Sequence, residues 1–97
     1  MKLRVDPAAL DELVQAEEYT TTEFGESVAN AFRLTAASAL EEITEFPKRY
    51  ATVRKKVRSK GLRPYPFSII YEEMNETVRV YAIAHSKRKP FYWQDRL

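Results

Sequence analysis

The side chains of this sequence that could do chemistry crowd into its last segment, His85-Ser86-Lys87-Arg88-Lys89-Pro90-Phe91-Tyr92-Trp93. Histidine changes charge near neutrality, so His85 can give or take a proton, or serve only as a structural hydrogen-bonder at a strand end. Arg88, flanked by Lys87 and Lys89, can bind a phosphate or hold the chain's tail in place. Tyr92 and Trp93 can stack on a base or pin the tail to the body of the protein, because each ring joins a large apolar surface to a polar handle. A second basic run, Arg49, Arg54, Lys55, Lys56, Arg58 and Lys60, stands earlier. It reads as an edge facing a nucleic acid, as a docking surface for an acidic protein segment, or as an edge strand kept from aggregating by its charge. Arg63 follows, either as a structural hydrogen-bonder or as part of the same chemistry.

Composition narrows the field. The 97 residues contain no cysteine and one histidine. Disulfides and thiolate chemistry are therefore excluded, and no metal or other cofactor is expected. Nothing resembles a signal peptide, and no apolar run approaches the roughly 20 residues of a membrane span, so a cytoplasmic protein with no membrane partner is expected. The net charge of +2 hides a division. Residues 1–45 carry ten acids and three bases, and residues 46–97 carry thirteen bases and four acids. Such a split points to an anionic partner for the second half. The plainer explanation is that helices favour Glu on their solvated faces.

Few elements can position these residues, because a chain of this length makes one domain, residues 1–97, with one layer of helices on one sheet. Met1–Val5 alternates apolar and cationic residues and predicts a short strand. Asp6-Pro7 predicts a helix start, with Asp6 as the cap and Pro7 at the first helical position. The first helix runs to about Glu23, with Leu10, Leu13, Val14 and Ala16 on or near one face, and Phe24-Gly25 breaks it. The second runs from about Glu26 to Phe46, with an apolar stripe of Val28, Phe32, Ala36, Ala39, Leu40, Ile43 and Phe46, and Pro47 stops it. The remainder predicts three strands. Val53–Leu62 is basic and extended, with a possible break at Gly61. Phe67–Glu73 puts Phe67, Ile69 and Tyr71 on one face. Thr77–His85 puts Val78, Val80, Ala82 and Ala84 on one side and Arg79, Tyr81, Ile83 and His85 on the other. The second row is expected to line an open, concave sheet face. The fold class is α+β: β-α-α-β-β-β, an antiparallel helical hairpin on one face of a four-stranded, mainly antiparallel sheet.

This pattern resembles the RelE/ParE superfamily of toxins from type II toxin–antitoxin (plasmid stabilisation) modules. The resemblance spans nearly the whole chain. It is carried by the strand and acidic hairpin, Phe46-Pro47, Gly61-Leu62-Arg63, Pro66-Phe67-Ser68-Ile69-Ile70-Tyr71, and the ending His85-x-x-Arg88-x-Pro90-x-Tyr92-Trp93-x-x-Arg96. It implies a growth-inhibiting toxin neutralised by a cognate protein antitoxin, as a hetero-oligomer with it or as a homodimer. ParE-like members poison DNA gyrase, and RelE-like members cut messenger RNA in the ribosome without a metal. As an enzyme of the second kind, the chain would use Arg88, His85, Tyr92 and Arg63 as candidate catalytic residues. Arg54, Lys55, Lys56, Arg58, Lys60, Lys87, Lys89 and Trp93 would be the candidate target-binding or nucleic-acid-binding set. Ser68 and Gly61 stand where the RelE pattern carries basic residues. The resemblance therefore favours the ParE-like reading over a ribonuclease, with a non-toxic binding module as a further alternative.

Overall fold

The computed structural model describes every residue, Met1–Leu97. Strand β1 (Lys2–Val5) leads into helices α1 (Pro7–Phe24) and α2 (Glu26–Glu45), followed by strands β2 (Thr52–Arg54), β3 (Val57–Gly61), β4 (Phe67–Met74) and β5 (Thr77–His85) and a 3-10 helix (Tyr92–Arg96). The sheet order is β1-β5-β4-β3-β2. Only the β1–β5 pair is parallel. The helical hairpin on a mainly antiparallel sheet is as the sequence predicts, with one strand more.

The extra strand comes from the basic stretch, which breaks not at Gly61 but at Lys55-Lys56. There Arg54 pairs with Val57 and Lys55 takes a positive φ of 52°. Two lysines carry none of the usual turn chemistry, which is why the break is invisible in the sequence. At the next hairpin Asn75 and Glu76 both have positive φ, 52° and 61°, as a two-residue turn matched to strand twist requires. Gly25 joins the helices alone. At φ 90° its N–H donates to the Thr21 carbonyl and its own carbonyl accepts from Ala29 N–H, so one residue ends α1 and begins α2.

The helices bury narrow stripes of small residues: Ala9 and Ala16 on α1; Ala29, Ala36 and Ala39, with Phe32 and Ile43, on α2. They meet Phe67, Ile69, Tyr71, Val78, Val80 and Ile83 of the sheet. Leu10 and Val14 do not join this core, being 52% and 47% exposed. Nor does Asp6 cap α1 through its side chain. Its carboxylate instead takes both arms of the Arg79 guanidinium, each at 3.0 Å, tying the start of α1 to β5.

One irregularity decides which residues of β5 face where. Ile70 pairs with Ala82 and Tyr71 with Val80, so Tyr81 is an extra residue, a β-bulge. Val78 and Val80 face the helices; beyond the bulge Ile83 takes that side while Tyr81 and Ala82 face away. The predicted row Arg79/Tyr81/Ile83/His85 is thus split between two faces, because one extra residue inverts a period-two pattern. The far face is not open either. Val57, Ile70, Tyr81, Ala82 and Trp93 form a second cluster there, closed by the C-terminal tail.

Candidate functional site

β1 ends at Val5, opposite Val80, so the rest of β5 has no strand on that side. Backbone groups at such an edge need partners. Glu12, one turn and a half into α1, supplies them. Its Oε1 accepts the Ile83 N–H at 3.1 Å. The same oxygen accepts from Arg96 Nη1 at 2.7 Å, while Oε2 accepts from Arg96 Nη2 at 3.1 Å and from the Tyr92 hydroxyl at 2.7 Å. Arg96 also donates to the Tyr81 carbonyl at 2.9 Å. One carboxylate, 11% exposed, thereby closes the strand edge and holds the tail. Burial by itself would raise its pKa, but the bonds from Arg96, Tyr92 and Ile83 outweigh it and hold Glu12 below its ordinary 4.5. In turn, burial and the Glu12 carboxylate push the Tyr92 hydroxyl well above the usual tyrosine range.

Arg88 sits on the outside of this hub. Its guanidinium stacks over the Tyr92 ring at 3.8 Å from the centroid and lies 3.9 Å from Glu12 Oε2. Its side chain stays 53% exposed. His85 stands beside it on the helix side of the sheet, edge-on to Phe67 at 5.0 Å and to Tyr19 at 6.2 Å, with Nδ1 accepting the Lys87 N–H at 3.0 Å. Together with Gln15 and Ala16 these residues line a shallow groove of about 200 Å³. The groove presents an aromatic floor, one imidazole and one fixed guanidinium. Such a surface can hold an anion or a carboxylate by charge-assisted hydrogen bonds.

The other predicted site residues disperse. Arg63 is exposed and lines a different groove, against α2. Trp93 is only 3% exposed and packs in the far-face cluster, so it pins the tail and leaves the target-binding set. Arg58 is a structural residue. It donates to the Tyr50 carbonyl at 2.6 Å and, more weakly, to that of Lys48, holding the turn after α2. Tyr71 donates to the Pro47 carbonyl at 2.8 Å for the same purpose. Lys60 lies 3.9 Å from Glu42 and over the Tyr50 ring at 4.8 Å. Arg54 donates to Gln94 and covers the Phe91 ring at 4.1 Å, clasping the tail from β2. Lys55, Lys56, Lys87 and Lys89 remain exposed, with no ion pair. Glu12 was not singled out from sequence; Arg96 entered only as the end of the C-terminal motif, and Asp6 and Arg79 were read separately, not as a pair. A glutamate among the several acids of α1 carries no mark of burial in its type, although Glu12 does fall between Ala9 and Ala16 on the buried stripe.

Comparison with known proteins agrees with this architecture. Residues 3–90 match the family described as ParE toxin of type II toxin-antitoxin system, parDE. Toxin ParE2 of Mycobacterium tuberculosis, in two strains, is 24% identical over 89 residues, spanning 92% of this chain and 85% of the relative. A solved chain of the chromosomal ParDE TA system from P. aeruginosa superposes with a TM-score of 0.77 at 16% identity, over 90% of this chain and 97% of that one. The isolated E. coli RelE toxin superposes with a TM-score of 0.61 at 20% identity, over 98% and 94%. These two likenesses are of fold. With the family match covering nearly all of the sequence, the chain belongs to the ParE toxin family of type II toxin–antitoxin systems.

Proposed function

We propose that this toxin inhibits growth by binding DNA gyrase and is not itself a ribonuclease. The observation that carries this reading is the state of Tyr92. Its hydroxyl donates to the Glu12 carboxylate at 2.7 Å, a bond that commits it to holding the tail, so it is not free to take a proton from a ribose hydroxyl. Arg63, another of the four catalytic candidates, lines a separate groove. What is left beside His85 is a cationic contact surface: Arg88 held over Tyr92, with Lys87 and Lys89 free on either side. That arrangement suits recognition of an acidic protein or DNA surface. The antitoxin would neutralise the toxin by covering part of this chain.

The test uses purified chain in two assays. Inhibition of gyrase supercoiling, with filamentous cells when the chain is expressed alone, is the expected result. Arg88→Ala should fold as the parent and lose inhibition by about thirtyfold or more, the roughly 2 kcal/mol at which an arginine counts as a hot spot. Cleavage of ribosome-bound messenger RNA with no effect on gyrase would overturn the reading in favour of the RelE-like one. Harmless expression of folded chain would make it a binding module only.

A further inference from the structure

The last turns of β5 carry an unfinished edge. β1 leaves that strand after Val5, opposite Val80, and the Asp6–Arg79 pair fixes where the chain turns into α1. Peptide groups alternate along a strand, so every second residue of β5 faces β4 and the others face the side that β1 has left. The Ser86 N–H, bonded to the Pro66 carbonyl, marks the β4 side, and the Ile83 N–H, bonded to Glu12, marks the other. The Ile83 carbonyl and the His85 N–H share that outer side. No strand runs beside them and no side chain bonds them.

Arg88 flanks the same stretch. It is held by its stack on Tyr92 and stands 3.9 Å from Glu12, beyond hydrogen-bond distance, so its N–H groups are held in place but uncommitted. Glu12 is already neutralised by Arg96 at 2.7 Å, which leaves the charge of Arg88 to the outside. Lys87 beside it has no ion pair.

The facing wall is α1, where Tyr19 is 44% exposed. A side chain laid between this ring and the strand edge leaves water for an aromatic surface. One groove thus offers a peptide donor and a peptide acceptor at strand spacing, a held guanidinium and an aromatic wall.

We propose that an extended, acidic segment of the target protein lies in this groove, pairs with Ile83 and His85 on the side that β1 leaves, and places a carboxylate on Arg88. The mode is strand addition, in which backbone hydrogen bonds supply affinity and side chains supply specificity. The phosphate backbone of a DNA duplex offers acceptors alone and leaves the Ile83 carbonyl unmet. A helix spends its own peptide groups internally and leaves both edge groups unmet. The proposal rests on the reading of the chain as a gyrase inhibitor and says how that target is gripped.

The experiment uses the whole chain and purified gyrase holoenzyme. Hydrogen exchange is read at each amide of the chain with and without gyrase. Kd and inhibition of supercoiling are measured for the parent, Tyr19→Glu and Lys87→Glu. Both substitutions sit at exposed positions, and circular dichroism checks that they fold. Lys48→Glu, an exposed lysine outside the groove, is the control. The expected result is slowing of His85 exchange by about tenfold or more in the complex, with binding and inhibition weakened about tenfold by each groove variant and unchanged in the control. Inhibition of gyrase by both variants as by the parent, with His85 exchanging as before, overturns the groove and leaves the gyrase reading intact. Failure of the parent chain to bind gyrase overturns both. Slowing of His85 exchange by a DNA duplex without gyrase assigns the groove to nucleic acid and overturns the proposal.

Discussion

Replacing Glu12 by alanine tests the hub directly. The substitution strips acceptors from three donors at once: the Ile83 N–H, the Tyr92 hydroxyl and the Arg96 guanidinium. A buried donor left unmet costs about 1–3 kcal/mol, and more for a charged one. Arg96 keeps a quarter of its side chain in water and retains the Tyr81 carbonyl, so its share belongs at the low end. The sum is about 3–4 kcal/mol, a large part of the roughly 5–15 kcal/mol that holds a small domain together. For a domain of this size that is a fall in Tm on the order of 15–20 °C. Glu12→Gln keeps the volume and one good acceptor but turns an amide toward a donor, so about half that loss is expected. Near-UV circular dichroism and the fluorescence of the single tryptophan, Trp93, follow the melt. Because the tail is tied to Glu12, Trp93 should redden in Glu12→Ala before the sheet unfolds. The sign with pH is fixed too. Glu12 is held below 4.5 in the fold, so its contribution is complete above that pH and is lost as pH falls through the folded-state value. The gap between parent and Glu12→Gln should therefore close in acid. A Glu12→Ala protein that melts within roughly 5 °C of the parent, about 1 kcal/mol, would refute the reasoning.

Other outcomes follow from the same contacts. Asp6→Ala should cost about 2–3 kcal/mol, because it strands a partly buried Arg79, and urea unfolding of this variant beside Asp6→Asn would measure it. Trp93→Ala should cost about 3–5 kcal/mol and expose the far-face cluster to a dye such as ANS; no change in dye binding would contradict the tail's role as a cover. Tyr71, Tyr81 and Tyr92 are all raised above the ordinary tyrosine value of 10, in each case chiefly by burial. Their contribution to stability is complete below pH 10 and is lost as pH rises through their folded-state values. Ultraviolet titration should accordingly show half of the six tyrosines ionising late, and together with unfolding.

What the sequence conveyed was periodicity and punctuation. The helical hairpin, the strands β4 and β5 and the buried row Phe67, Ile69, Tyr71 follow from spacing, Gly25 and Pro47. What it withheld was anything set by one residue against its pattern. The Lys55-Lys56 turn has no turn residue. The Tyr81 bulge has no glycine, and it reverses the second half of β5. Asp6 has the composition of a cap but serves as an ion-pair partner, a choice made by Arg79, 73 residues away. The same holds at the site. Arg88, His85 and Tyr92 were legible as a cluster because they are neighbours in the chain. Glu12, which holds Tyr92 and faces Arg88, lies 80 residues from Tyr92, and its one local sign is its place on the buried stripe between Ala9 and Ala16. Trp93 was ambiguous between ligand and cover because an aromatic residue beside basic ones serves either use, and only the far-face cluster decides.

The parallel pairing of β1 with β5 also has a consequence for how the molecule is made. Lys2 meets Thr77 and Val5 meets Val80, so the first strand to be synthesised pairs with the last. The helical hairpin and the β2-to-β5 meander can form from neighbouring segments, but β1 must close a loop that takes in about three quarters of the chain, and such long closures come late. During translation β1 has no place to go until β5 has left the ribosome. Glu12 likewise cannot find Arg96 until the segment after β5 has emerged. The hub under Arg88 is therefore among the last parts of the fold to assemble.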